Sequence, residues 1–183
     1  MNYRECFIFN GVRFSVPAHI QRIDKLHKEA NKTIHGWQLR YGKWTFFSDR
    51  SLDGSGAESS LAEATRELIR RIHTIDAPTG LRRHVGSGKS TGLPPGISGP
   101  IFRIRKDRRV PELNFGVSIP RFGMKPTNAT VYIGTENSVD DERYQIALAR
   151  AIEIRKKAEV AYQQAANQAR RAKAPPLDVG EGR

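Results

Sequence analysis

The chain reads as an α+β protein: an N-terminal ββα-ββα domain, then a three-stranded antiparallel sheet backed by a long α-helix. Three observations predict this. Short segments such as Phe102-Arg103-Ile104-Arg105 alternate apolar and polar residues with period two, the signature of half-buried strands. Turn dipeptides such as Asn10-Gly11 separate them. From Asp140 to about residue 173, apolar residues recur instead at helical spacing.

Taken in order, Cys6-Phe7-Ile8-Phe9 and Val12-Arg13-Phe14-Ser15-Val16 predict a hairpin closed by Asn10-Gly11 in a two-residue type I′ turn, where both central residues need positive φ. Pro17 sits near the start of a predicted helix running to about residue 30, with Ile20, Ile23 and Leu26 as its apolar stripe. A second hairpin joins Trp37-Gln38-Leu39-Arg40 to Lys43-Trp44-Thr45-Phe46-Phe47 through Tyr41-Gly42. Trp37 and Trp44 suit the core, or each other across the hairpin, better than base stacking. With Trp44 inward, Lys43 and Thr45 take the other face, and Arg40 joins them there. Ser59 or Ser60 then caps a helix with stripe Leu61, Ala64, Leu68 and Ile72, and Glu63 completes a capping box if Ser60 is the cap. The ββα pattern thus occurs twice, in element order rather than residue identity.

Glycine, proline and basic residues break every periodicity over residues 76–99, which marks an exposed linker. Three strands follow: Ile101-Phe102-Arg103-Ile104-Arg105, Phe115-Gly116-Val117-Ser118-Ile119 and Thr130-Val131-Tyr132-Ile133-Gly134. Alternation sends Phe102, Ile104, Val117, Ile119, Val131 and Ile133 inward, and Arg103, Arg105 and Tyr132 outward. The helix face behind them is Tyr144, Leu148, Ala151, Ile152, Ala158 and Tyr162. Beyond Ala158 little remains to bury, so that end projects, meets a partner copy or frays. The domain scheme is therefore 1–76, an N-terminal α+β domain; 77–96, a flexible basic linker; 97–173, a βββα domain with an extended helix; and 174–183, a disordered tail.

The 183 residues include 31 Lys and Arg against 19 Asp and Glu, a formal net charge of +12. Such a balance favours polyanionic partners, because each neutralised phosphate releases condensed counterions. The charge is concentrated over residues 80–125, where ten basic residues face two acids. Cys6 is the single cysteine, which excludes an intrachain disulfide and argues against a thiolate zinc site. Residues 1–14 lack a signal-peptide pattern and no apolar run approaches ~18 residues. The expected setting is the cytoplasm, on the nucleoid, with no membrane partner.

No motif supports catalysis. Gly86-Ser87-Gly88-Lys89-Ser90-Thr91 resembles a phosphate-binding loop, but Arg83 stands where its first glycine belongs, and Gly92, Leu93, Pro94 and Pro95 follow instead of a helix. His19, His27, His35, His73 and His84 fall at no metal-ligand spacing. Asp140-Asp141-Glu142 suits the positive end of a helix dipole. The chain is expected to be no enzyme, with no metal and no cofactor.

At Tyr132-Ile133-Gly134-Thr135, with Ala147, Ala149 and Ala151 behind it, the chain is similar to the Apetala-type DNA-binding domain of ethylene-response factors and its integrase relatives. Ile97-Ser98-Gly99 and Phe102-Arg103-Ile104-Arg105 resemble that family's lead-in and first strand. The likeness covers about a third of the chain, roughly residues 97–157. Val117 and Ile119 stand where the family has a tryptophan, and the loops over residues 106–114 and 121–129 are long. The resemblance implies a sheet laid into the major groove of double-stranded DNA, with Arg103, Arg105, Ser118, Arg121, Thr130 and Tyr132 as contacts. Lys106, Arg108, Arg109 and Lys125, and Arg40 and Lys43 in the first domain, join them as cationic candidates. The implied role is a bacterial or phage transcriptional regulator or mobile-element factor. The first domain or the long helix would add a second DNA contact or a homodimer surface. Two alternatives stand beside it: an RNA-binding module, and an interaction protein whose basic face meets an acidic partner.

Overall fold

A computed structural model describes residues 1–27, 32–81, 92–104 and 110–177. Among these residues it has mixed α+β content, with three small antiparallel sheets and two helices. The chain divides into two units: Met1–Pro78 with Asn167–Arg183, and Thr79–Ala166.

The first unit opens with a hairpin of β1 (Tyr3–Phe7) and β2 (Arg13–Pro17). Its turn is wider than the Asn-Gly dipeptide predicts. Ile8 and Val12 still pair, with Gly11 N–H donating to the Ile8 carbonyl and Gly11 at φ +84°. This is a three-residue loop ending on a left-handed glycine.

The helix predicted to follow Pro17 is instead β3 (Ile20–His27). His19 adopts φ +75°, which no helix admits, and its carbonyl accepts from Arg40 N–H. The chain therefore turns directly into a strand that pairs along its whole length with β4 (Lys32–Leu39). β5 (Thr45–Ser48) adds to the far side of β4, giving the order β3-β4-β5. Helix α1 (Ala57–Thr74) covers one face of this sheet. The first domain is thus ββ-βββα, not ββα-ββα.

Its core joins Ile20, Trp37 and Leu39 of the sheet to Leu61, Ala64, Leu68 and Ile72 of α1, the helical stripe that the spacing predicts. Trp37 is fully buried and donates Nε1–H to the Ala57 carbonyl at 2.8 Å. Trp44 departs from the inward expectation at 65% exposure. The cap differs too: Gly56 occupies the N-cap without a side-chain bond, while buried Ser60 donates to Asp49 Oδ1 at 2.6 Å. Residues 167–173, expected to project, meet a partner copy or fray, and residues 174–177, expected to belong to a disordered tail, group with this unit. Asn167 bonds the Ala77 N–H and the Asp76 carboxylate, and His73 donates to the Pro175 carbonyl.

The second unit holds β6 (Ile97–Arg103), β7 (Glu112–Arg121) and β8 (Met124–Thr135) in that order, all antiparallel. Helix α2 (Asp141–Arg171) carries Ala147, Ala151, Tyr144 and Leu148 onto Ile97, Phe115, Val117, Val131 and Ile133. Asp140 caps it, accepting from Arg143 N–H at 2.8 Å. Leu93 is part of this core, so the stretch ahead of β6 is no free linker. The glycine- and lysine-bearing segment over 86–91 lies outside the described residues.

Two strand assignments change. The long loop predicted over 121–129 is strand, because Phe122-Gly123, with Gly123 at φ +71°, closes a two-residue hairpin turn that lets Arg121 oppose Met124. Phe102 shares a cross-strand row with buried Leu113, yet it is 63% exposed, and Ile104 is exposed as well. They lie at the end of an edge strand, where alternation selects the face without supplying anything to cover it.

Candidate nucleic-acid interface

Each unit leaves one face of its three-stranded sheet uncovered by its helix. In the second unit the cross-strand rows define that face: Ser98–Gly116–Thr130, Ile101–Asn114–Tyr132 and Arg103–Glu112–Thr135, with Ser118 opposite Asn128. Arg103, Ser118, Thr130 and Tyr132 are therefore brought together on one surface; alternation predicts this of Arg103 and Tyr132, and the resemblance implies Ser118 and Thr130. Tyr132 is 52% exposed, and Thr130, Asn128 and Arg103 are exposed too. Glu112, directly across the strand from Arg103, is buried and sets an acidic group beside that cation.

The other candidates divide. Arg121 sits at the hairpin tip, and its Nε and Nη2 both donate to the Lys125 carbonyl, at 3.0 and 2.9 Å. Its guanidinium holds the turn, while the Lys125 side chain is exposed. Arg105, Lys106, Arg108 and Arg109 lie outside the described residues. On the helix side of the sheet, buried Arg155 donates to the Ser118 carbonyl and to Glu159, so it locks α2 to β7.

The open face of the first unit carries Gln21, Ile23 and Lys25 from β3, Ile34 and Gln38 from β4, and Phe46 from β5. Gln21, Gln38 and Phe46 form one row. Gly36 leaves room for the Phe46 ring, since a Cβ there would lie 2.6 Å from its Cζ. Arg40 Nε–H donates to Gln38 Oε1 at 2.7 Å. The acids nearest these strands occupy the opposite, helix-covered side. There Arg22 bonds Asp49 at 3.0 and 2.6 Å, Asp24 at 3.0 Å accepts from its Nε–H, and His35 Nδ1 donates to Asp24 at 2.7 Å.

No family model, curated protein or solved structure matches this chain.

Lys43 and Trp44 project from the β4–β5 turn, and that turn is held from behind. Arg71 of α1 donates to the Tyr41 and Lys43 carbonyls and, at 2.7 Å, to Thr45 Oγ1. Glu67 accepts from both Arg70 and Arg71 at 2.7 Å. Chiefly through Arg70, and despite an opposing burial effect, its carboxyl is pulled down to about 2. Arg40 and Lys43 are both exposed, in the first unit, and do not share a sheet with Arg103.

Gln21 and Lys25 are absent from the candidates the sequence suggests, because a helix predicted over 17–30 hides the alternation of Gln21, Ile23 and Lys25 against Ile20, Arg22 and Asp24; Gln38 falls in a predicted strand but carries no charge to single it out. That alternation was the available signal. Among the described residues, no group of three or more His, Cys, Asp and Glu side chains is arranged to hold a metal ion. No helix among them is long and apolar enough to cross a membrane.

Proposed function

We propose that the protein binds double-stranded DNA through the open face of β6-β7-β8, as a bacterial or phage regulator or accessory factor. The observation that carries this reading is the gathering of Arg103, Ser118, Thr130 and Tyr132 on the one face of that sheet that α2 leaves uncovered. A two-stranded or wider β-ribbon fits the major groove, where an arginine can bind guanine O6 and N7 bidentately. Hydroxyl groups and the remaining cations hold phosphates and set register. The likeness of Tyr132-Ile133-Gly134-Thr135 to the Apetala-type segment supports the same use of the sheet. The net charge of +12 supplies the sequence-independent part of the attraction.

The test is titration of a labelled duplex by the full-length protein and by Arg103→Ala with Tyr132→Ala. Loss of a base contact worth ~1–3 kcal/mol predicts a complex weaker by roughly 5- to 150-fold. Unchanged affinity at moderate salt defeats the reading. One observation favours a second reading: the exposed Tyr132 ring is a stacking platform for unpaired bases. Single-stranded RNA outcompeting the duplex would establish that alternative. Selection from random duplexes then separates a regulator, which yields a sharp motif, from a packaging protein, which yields none.

A further inference from the structure

The two units share an arrangement that their sequences hide. β3-β4-β5 with α1 and β6-β7-β8 with α2 are each three sequential antiparallel strands followed by a helix on one face. We propose that the open face of β3-β4-β5 is a second duplex-DNA site, in which Gln38 meets base edges while Lys25 and Lys43 hold phosphates. This rests on the reading of the β6-β7-β8 face as a DNA surface and adds an independent one.

Charge selects the occupant. The open-face positions of β3, β4 and β5 include Lys25 and no acid, and Arg40 lies beside them. Asp24 and Asp49 are on the covered side, where both bond Arg22. A surface with cations outward and acids inward fits a polyanion. Among the described residues, the strand positions on this face carry no carboxylate to repel phosphate.

Gln38 is equipped for reading rather than for adhesion alone. A guanidinium has only donors, so the Arg40 Nε–H contact fixes the amide oxygen toward Arg40 and leaves Nε2 to donate. A held donor suits the acceptor edges of guanine and thymine in the major groove and disfavours the cytosine amino group. Arg40 is thus a positioning residue for Gln38. Arg71 pins the backbone of the turn that carries Lys43, so the point from which its side chain reaches is fixed before binding.

The experiment compares footprints and affinities of the full-length protein on duplexes selected from a random pool. Lys25→Ala with Gln38→Ala should weaken binding about tenfold or more and erase one part of the footprint. Arg103→Ala with Tyr132→Ala should erase a different part. Arg40→Met, which keeps the aliphatic stem, should leave the fold intact and relax base preference at the Gln38 position. If the wild type binds duplex but Lys25→Ala with Gln38→Ala leaves affinity and footprint unchanged, this inference falls and the first site stands. If the wild type binds no duplex, both fall. If the double variant instead converts a dimer to a monomer with DNA affinity unchanged, the face belongs to a second copy and the inference is overturned.

Discussion

Not every cation in a basic protein is available to a ligand, and Arg22 shows why. Its side chain is 5% exposed, and it bonds the Asp49 carboxylate, whose side chain is fully buried, and the Asp24 carboxylate. It also lies 4.9 Å from the Trp37 ring centroid. Burial works against its charge, but the two carboxylates outweigh that and raise its affinity for the proton. Ser60 and His35 complete the network on Asp49 and Asp24. Removing one partner of such a cluster strands the others without water. Arg22→Ala is therefore expected to destabilise the first unit by about 3–5 kcal/mol, which urea denaturation would read. Arg22→Ala with Asp49→Ala should cost less than the sum of the single changes, since the stranded charge is gone. Arg71, Arg121 and Arg155 are committed in the same way to carbonyls and carboxylates. Lys25, Lys43 and Arg103 are exposed cations on faces or turns directed away from the cores.

At the level of elements, the α1 stripe, the α2 span and both hairpins of the first unit were legible because each depends on local period or turn chemistry. β3 was not. Ile20, Ile23 and Leu26 fit a helical stripe as well as their neighbours fit a strand, and the decision came from β4, a partner twelve or more residues away along much of the pairing. The backbone reversal at His19 and its bond to Arg40 are equally invisible in a window of sequence. Part of the candidate site followed from alternation, which placed Arg103 and Tyr132 on one face, while Ser118 and Thr130 came from the resemblance; the first unit's face was lost with its first strand. The α1-to-turn staple makes a prediction of its own. Glu67 has its folded pKa depressed to about 2, and Asp24 and His19 are also lowered, Asp24 by Arg22 and His35 against a burial effect, His19 by burial and then Arg170. Groups that bind protons less readily when folded stabilise at high pH, so stability falls as pH drops. The His19 part fades as pH falls below about 6.5, and the Glu67 part between about 4.5 and 2. Thermal melts across that range should show Tm declining toward acid, with Glu67→Gln flattening the limb below about 4.5. A Tm independent of pH there would contradict the staple.

For the molecule as a whole, the question is how much of the +12 charge meets phosphate. Apart from Arg121, whose guanidinium bonds the Lys125 carbonyl, the exposed cationic candidates among the described residues are Arg103 and Lys125 in one unit and Lys25, Arg40 and Lys43 in the other. If each meets one phosphate, the log–log dependence of duplex affinity on salt has a slope of roughly −4 to −5, at about 0.9 per contact. Arg105, Lys106, Arg108 and Arg109 would each add about 0.9 to the second unit's share, so the total counts contacts and single-lysine variants assign them to a face. Lys43→Ala should reduce its magnitude by about 0.9 and weaken all sequences alike, because a phosphate contact carries no base information. Gln38→Ala should do the reverse, leaving the slope unchanged while relaxing preference at one base. Anisotropy titrations from about 50 to 200 mM salt, on a selected and a scrambled duplex, separate the two effects. A slope unmoved by Lys43→Ala would place that lysine off the DNA, whatever the total charge of the protein.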